Sequence, residues 1–281
     1  MLGSVTLTIT CKDKTGIVAS VTGFLCKQNA NIISLDQHST DPEGGQFFMR
    51  VTFVVPHEEN LVTAFEETVA RLFDMKWFMH PFSKRKRLAI LCSKEEHALL
   101  DLLWSWQQGH LNADIPLVIS NHASVEKNIA HFETDFVHIP NHHSIREHAE
   151  KSMLARLKDY NIDCVVLARY MQILSPHFVS HYPQALINIH HSFLPAFVGA
   201  NPYQQALDRG VKLIGATAHY VSEVLDDGPI IDQDTQHISH RLTLRDLKIL
   251  GQTIEKTVLT RAVKYHVEDR VIVHENKTII F

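Results

Sequence analysis

Residues 185–195 read Ala185-Leu186-Ile187-Asn188-Ile189-His190-His191-Ser192-Phe193-Leu194-Pro195. The apolar start is what a strand covered on both faces requires. The polar end marks where such a strand stops being covered. Working outward, Leu88–Cys92, Ile115–Ser120 and Cys164–Ala168 are runs of the same apolar kind. Between them lie stretches with helical spacing: Lys94–Gln107, His143–Tyr160 (Met153, Leu154 and Leu157 on its apolar face) and a shorter one near Pro176–His181. Strands alternating with helices predict an α/β domain, a mostly parallel sheet with helices on both faces. Lys212–Tyr220 and Ile230–Gln236 add strands around an Asp226-Asp227-Gly228-Pro229 turn, Leu244–Val267 a long helix, and Arg270–Val273 with Thr278–Phe281 a terminal hairpin.

The first eighty residues keep a different rhythm. Val5–Thr10 alternates apolar and polar residues, as a half-buried strand does. Asp13-Lys14-Thr15-Gly16 turns the chain into a helix with Ile17, Val18, Val21, Leu25 and Cys26 on one side, and Asn29-Ala30-Asn31 breaks it. Ile32–Gln37 and Gln46–Val55 alternate again, with a hairpin signal at Pro42-Glu43-Gly44-Gly45. Leu61–Phe73 carries one apolar helical face, and Lys76–Met79 can be a last short strand. The order is βαββαβ. The basic run Ser83-Lys84-Arg85-Lys86-Arg87 reads as a solvated linker. The expected domains are therefore 1–82, a linker at 83–87, and 88–281.

Bulk properties exclude several function classes. The 281 residues are 45% hydrophobic and 21% charged, which is ordinary globular composition. A net charge of −4 gives no basic field for nucleic acid, so no nucleic-acid partner is expected. The four cysteines (Cys11, Cys26, Cys92, Cys164) are far apart and form no C-x-x-C pair, so they read as buried thiols in a reducing compartment. Met1–Val5 lacks the regions of a signal peptide, and no apolar run approaches the roughly 20 residues that span a bilayer. A cytoplasmic protein with no membrane partner is expected.

The chemistry gathers at the polar strand end. Alternation sends Asn188 and His190 to one face. A carboxamide can donate to an oxyanion, and an imidazole can move a proton. Asp226, at the turn after the Gly215–Tyr220 strand, is the candidate carboxylate to join them. In parallel sheets sites form at the carboxyl ends of strands. The residues alone leave a second reading open: hydrogen-bonded strand-end side chains and a plain Asp-Asp-Gly turn. The adjacent His190 and His191 face opposite sides of a strand and make a poor chelate, so no metal and no cofactor are expected.

Three ordered motifs then carry a resemblance. Asn188 to Pro195, Gly215 to His219 and Asp226 to Gly228 resemble the N-I-H-x-S-x-L-P, G-x-T-x-H and D-x-G signatures of folate-dependent formyltransferases, which have a Rossmann-like catalytic domain. The resemblance implies that Asn188, His190 and Asp226 are catalytic, that Met171, Ile173 and Leu174 line a pterin slot, and that His219 supports the Asp226 loop. Gln172 stands where many relatives carry Arg. The run His190 to Phe197, with Gly199-Ala200 and Pro202-Tyr203, is similar to the formyltetrahydrofolate deformylases in particular. In them His191 would either shape the water site or cap the strand. The stretch Cys92-Ser93-Lys94-Glu95-Glu96-His97 agrees: without glycine and with two adjacent carboxylates it is a poor cradle for a phosphorylated acceptor.

The amino-terminal module resembles ACT domains, ferredoxin-like modules that bind amino acids and pair through their sheets. This implies an amino-acid effector near Asp13, Gly16 and Asn31, or a module that only drives homo-oligomer assembly. The implied activity is hydrolysis of 10-formyltetrahydrofolate, at a carbon–nitrogen amide bond, to formate and tetrahydrofolate. That reaction balances one-carbon folate pools for purine synthesis. The competing functions are formyl transfer to a small amine and a catalytically inactive amino-acid-responsive binding protein.

Overall fold

The computed structural model describes residues 3–41, 43–57, 59–81, 83–195 and 202–281. Two compact units divide the chain. One comprises Met1–Arg85 with Asp269–Ile272 and Ile279–Phe281, the other Lys86–Glu268 with Val273–Thr278. The boundary differs from the expected one at both ends. A strand already begins at Lys86, inside the basic run, and the last residues of the chain group partly with the first unit.

The first unit contains β1 (Gly3–Lys12), α1 (Ile17–Lys27), β2 (Asn31–Ser39), β3 (Gln46–Val55), α2 (Leu61–Phe65) and β4 (Lys76–Pro81). Its sheet is antiparallel with order β2-β3-β1-β4. Strand alternation turns Val5, Leu7 and Ile9 of β1 and Met49, Val51 and Phe53 of β3 to one side, where Val21, Leu25 and Phe65 cover them. This is the predicted ferredoxin-like arrangement. The stretch Leu61–Phe73 is not one regular helix. After α2 it widens into a π-helical turn at Glu66–Ala70 and tightens into a 3₁₀ turn at Arg71–Phe73, with Val69, Ala70 and Phe73 all buried. Of the hairpin signal, Pro42 lies outside the described residues. Gly44 has φ 88°, and a Cβ on Gly45 would come within 2.4 Å of the Asp41 nitrogen, so the turn needs both glycines.

The second unit runs β5 (Lys86–Cys92), α3 (His97–Gln107), β6 (Ala113–Ser120), α4 (Glu126–Ile129), β7 (Asp135–His138), α5 (Arg146–Asp159), β8 (Cys164–Ala168), α6 (Pro176–Val179), β9 (Leu186–His190), α7 (Pro202–Asp208), β10 (Leu213–Tyr220), β11 (Ile230–His237) and α8 (Leu244–Val267). The hairpin β12 (Val271–His274) and β13 (Lys277–Ile280) closes the chain. The main sheet has order β11-β10-β9-β8-β5-β6-β7. Its strands from β9 to β7 are parallel, and β10 is antiparallel to both β9 and β11. All five residues of β8 are buried, as the unbroken apolar run requires. Met153 and Leu157 of α5 and Phe178 of α6 cover one face, and α8 packs along β9, β10 and β11.

Among the cysteines, Cys11, Cys92 and Cys164 are buried, but Cys26 is exposed, because the last turn of α1 faces it away from the sheet. Burial pushes the Cys92 and Cys164 thiols up to about 12. No helix among the described residues is long and apolar enough to cross a membrane.

Candidate active site

A cavity of about 810 Å³ opens in the second unit at the carboxyl ends of β8 and β9. Asn188 and His190 enter it from one face of β9. The antiparallel neighbour β10 sets His219 opposite Asn188 and Thr217 opposite His190. Directly opposed side chains touch, and Asn188 Nδ2 lies 3.3 Å from His219 Nε2. His219 Nδ1–H donates to the Tyr220 carbonyl at 2.9 Å, which leaves Nε2 as the acceptor that takes the Asn188 amide proton. Burial lowers the pKa of His219 and keeps the ring neutral, in agreement with that tautomer.

After β10 the chain turns back through Asp226, a residue in the left-handed region at φ 56°, which Asp tolerates better than most. A Cβ at Gly228 would lie 1.7 Å from the Tyr220 carbonyl oxygen, so only glycine lets this turn close. The closed turn brings Asp226 Oδ2 within 3.4 Å of His190 Nδ1 and Oδ1 within 3.8 Å of His219 Nε2. The contact with His190 holds the Asp226 carboxyl below its ordinary value although burial pushes it up. The other ring nitrogen, His190 Nε2, is buried and makes no hydrogen bond among the described residues.

His191 was expected on the opposite face from His190. It lines the same cavity, because β9 ends at His190 and alternation ends with it. The two rings are 5.2 Å apart and steeply inclined. Burial first, then the Arg169 charge, lowers the His191 pKa from 6.5 to about 4. The chain beyond it is pinned by Thr217. Its hydroxyl donates to the Ser192 carbonyl and accepts from Leu194 N–H and the Gln233 amide. Ala196, Phe197, Gly199 and Ala200 of the sequence motif lie outside the described residues.

Met171, Ile173 and Leu174 line the cavity. Met171 and Ile173 are exposed on its rim while Leu174 is buried. Their loop is held from below: Met171 N–H donates to Ser93 Oγ at 3.0 Å, and Ser175 donates through N–H and Oγ to the buried carboxylate of Glu150. Sequence reading did not find Ser93 or Glu150.

It also missed a second buried polar group in the wall. Glu255 of α8 is 1% exposed. Its Oε1 accepts from the Tyr203 hydroxyl at 2.6 Å, and its Oε2 lies 2.8 Å from His97 Nε2 and 3.5 Å from Arg169 Nε. Arg169 also reaches Glu95, at 3.3 Å. Burial pushes Glu255 up, but His97, Arg169 and Tyr203 outweigh it and the net pKa is lowered. A Cβ at Gly251 would fall 1.9 Å from the Tyr203 oxygen. The one local signal was an acid inside the apolar stripe Ile254, Val258, Leu259 of α8.

In the first unit, Asp13 and Gly16 flank the β1–α1 turn, and Asp13 accepts a hydrogen bond from Ser39 Oγ at the end of β2. Asn31 opens that same strand. The extended chain between them spans about 26 Å, so Asp13 and Asn31 do not meet within this chain.

Residues 86–263 match the formyl transferase family, and residues 5–70 match the ACT domain family. A formyltetrahydrofolate deformylase of Bacillus subtilis is 52% identical over 98% of this chain and 93% of its own length. The crystal structure of a formyltetrahydrofolate deformylase from Pseudomonas syringae pv. tomato superposes with a TM-score of 0.96 at 42% identity, covering 100% of this chain and 95% of that one. A glycinamide ribonucleotide transformylase from Symbiobacterium toebii shares the catalytic unit, with a TM-score of 0.65 and 28% identity over 70% of this chain and 94% of that one.

Proposed function

The chain belongs to the formyltetrahydrofolate deformylases, hydrolases of 10-formyltetrahydrofolate, and from that premise we propose that the His190–Asp226 pair activates the attacking water while Asn188 stabilises the oxyanion. The observation that carries this reading is His190 Nε2, buried without a partner while Nδ1 faces a carboxylate. With Nδ1–H turned to Asp226, the lone pair is on Nε2, the nitrogen left for substrate chemistry. Asp226 alone is a weak base, since its pKa is lowered. Acting through the imidazole it fixes the tautomer and meets the charge that develops on the ring.

Water attacks the formyl carbon and gives its proton to His190 Nε2. Asn188 Nδ2–H donates to the new oxyanion. As the bond from carbon to N10 breaks, His190 Nε2–H returns the proton to N10, leaving tetrahydrofolate and formic acid, which ionises to formate in water. Each proton transfer and each oxyanion contact is made by a side chain, so the steps call for no metal ion or cofactor. Met171, Ile173 and Leu174 present an apolar slot for the pterin ring, and a neutral His191 shapes the space beside the formyl group. In the cell the reaction would supply formate and balance the one-carbon folate pool drawn on by purine synthesis. The ACT module supports an amino-acid effector. Because Asp13 and Asn31 lie apart in one chain, a binding site using both would draw on two copies, in keeping with a homo-oligomer.

Formate release from 10-formyltetrahydrofolate, with chelator and without added amine, tests the reaction. Formate and tetrahydrofolate in equal amounts are expected. Bound folate without formate would overturn the reading.

A further inference from the structure

We propose that the cluster of Arg169, Glu255, Tyr203 and His97, with the exposed Glu95 at its edge, is the specificity determinant that denies the site a second substrate, so that water and not an amine takes the formyl group. The inference rests on the hydrolase reading above and extends it to residues that reading leaves without a task.

The cluster is costly. It buries a carboxylate at 1% exposure beside a guanidinium at 9%. Such pairs are matched or bettered in stability by apolar residues of the same volume. Arg169 stands at φ 62°, a backbone conformation that disfavours a long side chain. Among the described residues its buried Nε–H makes no hydrogen bond and meets Glu255 only as an ion pair at 3.5 Å. Four separate segments converge to build the cluster: the end of β8, the loop after β5 that leads into α3, α7 and α8. Packing alone asks for none of this, and costs of this kind concentrate at functional sites.

The chemistry of exclusion follows from who is bonded to whom. An amine entering a buried site brings N–H donors that must find acceptors, or the site loses their hydration without return. Glu255 is the buried carboxylate of this wall, and both its oxygens are already engaged, Oε1 by Tyr203 and Oε2 by His97 and Arg169. Glu95 is drawn to Arg169. An ammonium would in addition meet the guanidinium charge. Water is smaller, carries its own lone pairs, and needs no free acceptor on this side. The transformylase fold aligned with this unit shows that a shared backbone serves an enzyme named for another substrate. Beside the glycine-free loop after β5, side chains of the cavity wall can then carry the difference.

Two variants of the full-length enzyme separate the outcomes. Arg169→Gly suits the left-handed backbone and removes the guanidinium. Tyr203→Phe keeps the ring and frees one Glu255 oxygen. Each is given 10-formyltetrahydrofolate with and without glycinamide, and formate and N-formylglycinamide are counted by mass spectrometry against an enzyme-free control. In the variant reaction the amine nitrogen bonds to the formyl carbon, the bond from carbon to N10 breaks, and the amine proton ends on N10. The wild type should give formate alone. The variants should give a ratio of formylglycinamide to formate at least about ten times the smallest ratio measurable above the enzyme-free control, the scale on which single pocket contacts discriminate. The inference is overturned if either variant still releases formate with that ratio unchanged, or if wild type already formylates the amine as readily as it makes formate. Loss of both products in both variants also overturns it, since it assigns these residues to selection and not to the chemical step. Formate from the wild type without amine tests the hydrolase reading separately.

Discussion

Two walls of one cavity carry buried polar side chains, and they are bonded in opposite ways. At the β9–β10 corner, His190 has one nitrogen at Asp226 and the other with no partner. Across the cavity, Glu255 has both oxygens taken by three neighbours. The first arrangement leaves a group in need of a bond, which a substrate or water can supply. The second leaves its carboxylate with no free oxygen. A buried group without a partner costs stability and is kept where it reacts; a saturated one is inert toward what enters.

The contrast can be broken most severely at Asp226. Asp226→Asn would present an amide to His190 Nδ1 and disfavour the reactive tautomer, with turnover falling by as much as about 10⁴-fold. Folate binding should be largely retained in a quench titration; affinity lost with turnover spared would contradict the assigned role. His190→Ala and Asn188→Ala come next, each costing at least about 100- to 1,000-fold in turnover. Near-normal rates in a folded variant, checked by circular dichroism, would sink the assignment.

On the saturated wall the effect is on stability first. Tyr203→Phe removes a hydrogen bond to a buried carboxylate and should lower unfolding free energy by about 1.5–3 kcal/mol, measured by urea titration. An unchanged midpoint would mean Glu255 does not depend on that hydroxyl. The effect that shows only at low pH concerns His191, whose pKa falls from 6.5 to about 4 on folding. The unfolded chain therefore takes up this proton first as pH drops. The stabilisation is complete above about pH 6.5 and is lost progressively toward about pH 4. His191→Gln should flatten that part of the stability curve, and an identical slope in both proteins would contradict the burial of a neutral ring.

What could be read from the chain depends on how local each relation is. Asn188 and His190 share a face because two residues of strand separate them, a rule that holds without tertiary knowledge. The unbroken run Cys164–Ala168 announced a covered strand. The meeting of Asp226 with His190 required the antiparallel register of β10 on β9 as well as the turn, and spacing alone left it open. His191 defeated alternation by lying one residue past the strand end. The strand Asp135–His138 escaped notice because four residues carry too little periodicity. Glu255 and His97 are 158 positions apart, and no local pattern connects them.

Gly228 lies against the Tyr220 carbonyl with no room for a methyl group. The Asp226 carboxylate two residues earlier is thus aimed by main chain against main chain and not by the shapes of neighbouring side chains. Surrounding residues can drift over generations, shrinking or growing, while the aim is kept. The exchange of one hydrogen atom for a methyl at position 228 spoils it at once. In a saturation-mutagenesis map this corner should appear as two intolerant columns, Asp226 and Gly228, beside permissive neighbours such as the exposed Val224 and Leu225. Anyone redesigning the cavity for a new formyl donor has wide freedom there, provided that this glycine and the carboxylate it aims are left untouched.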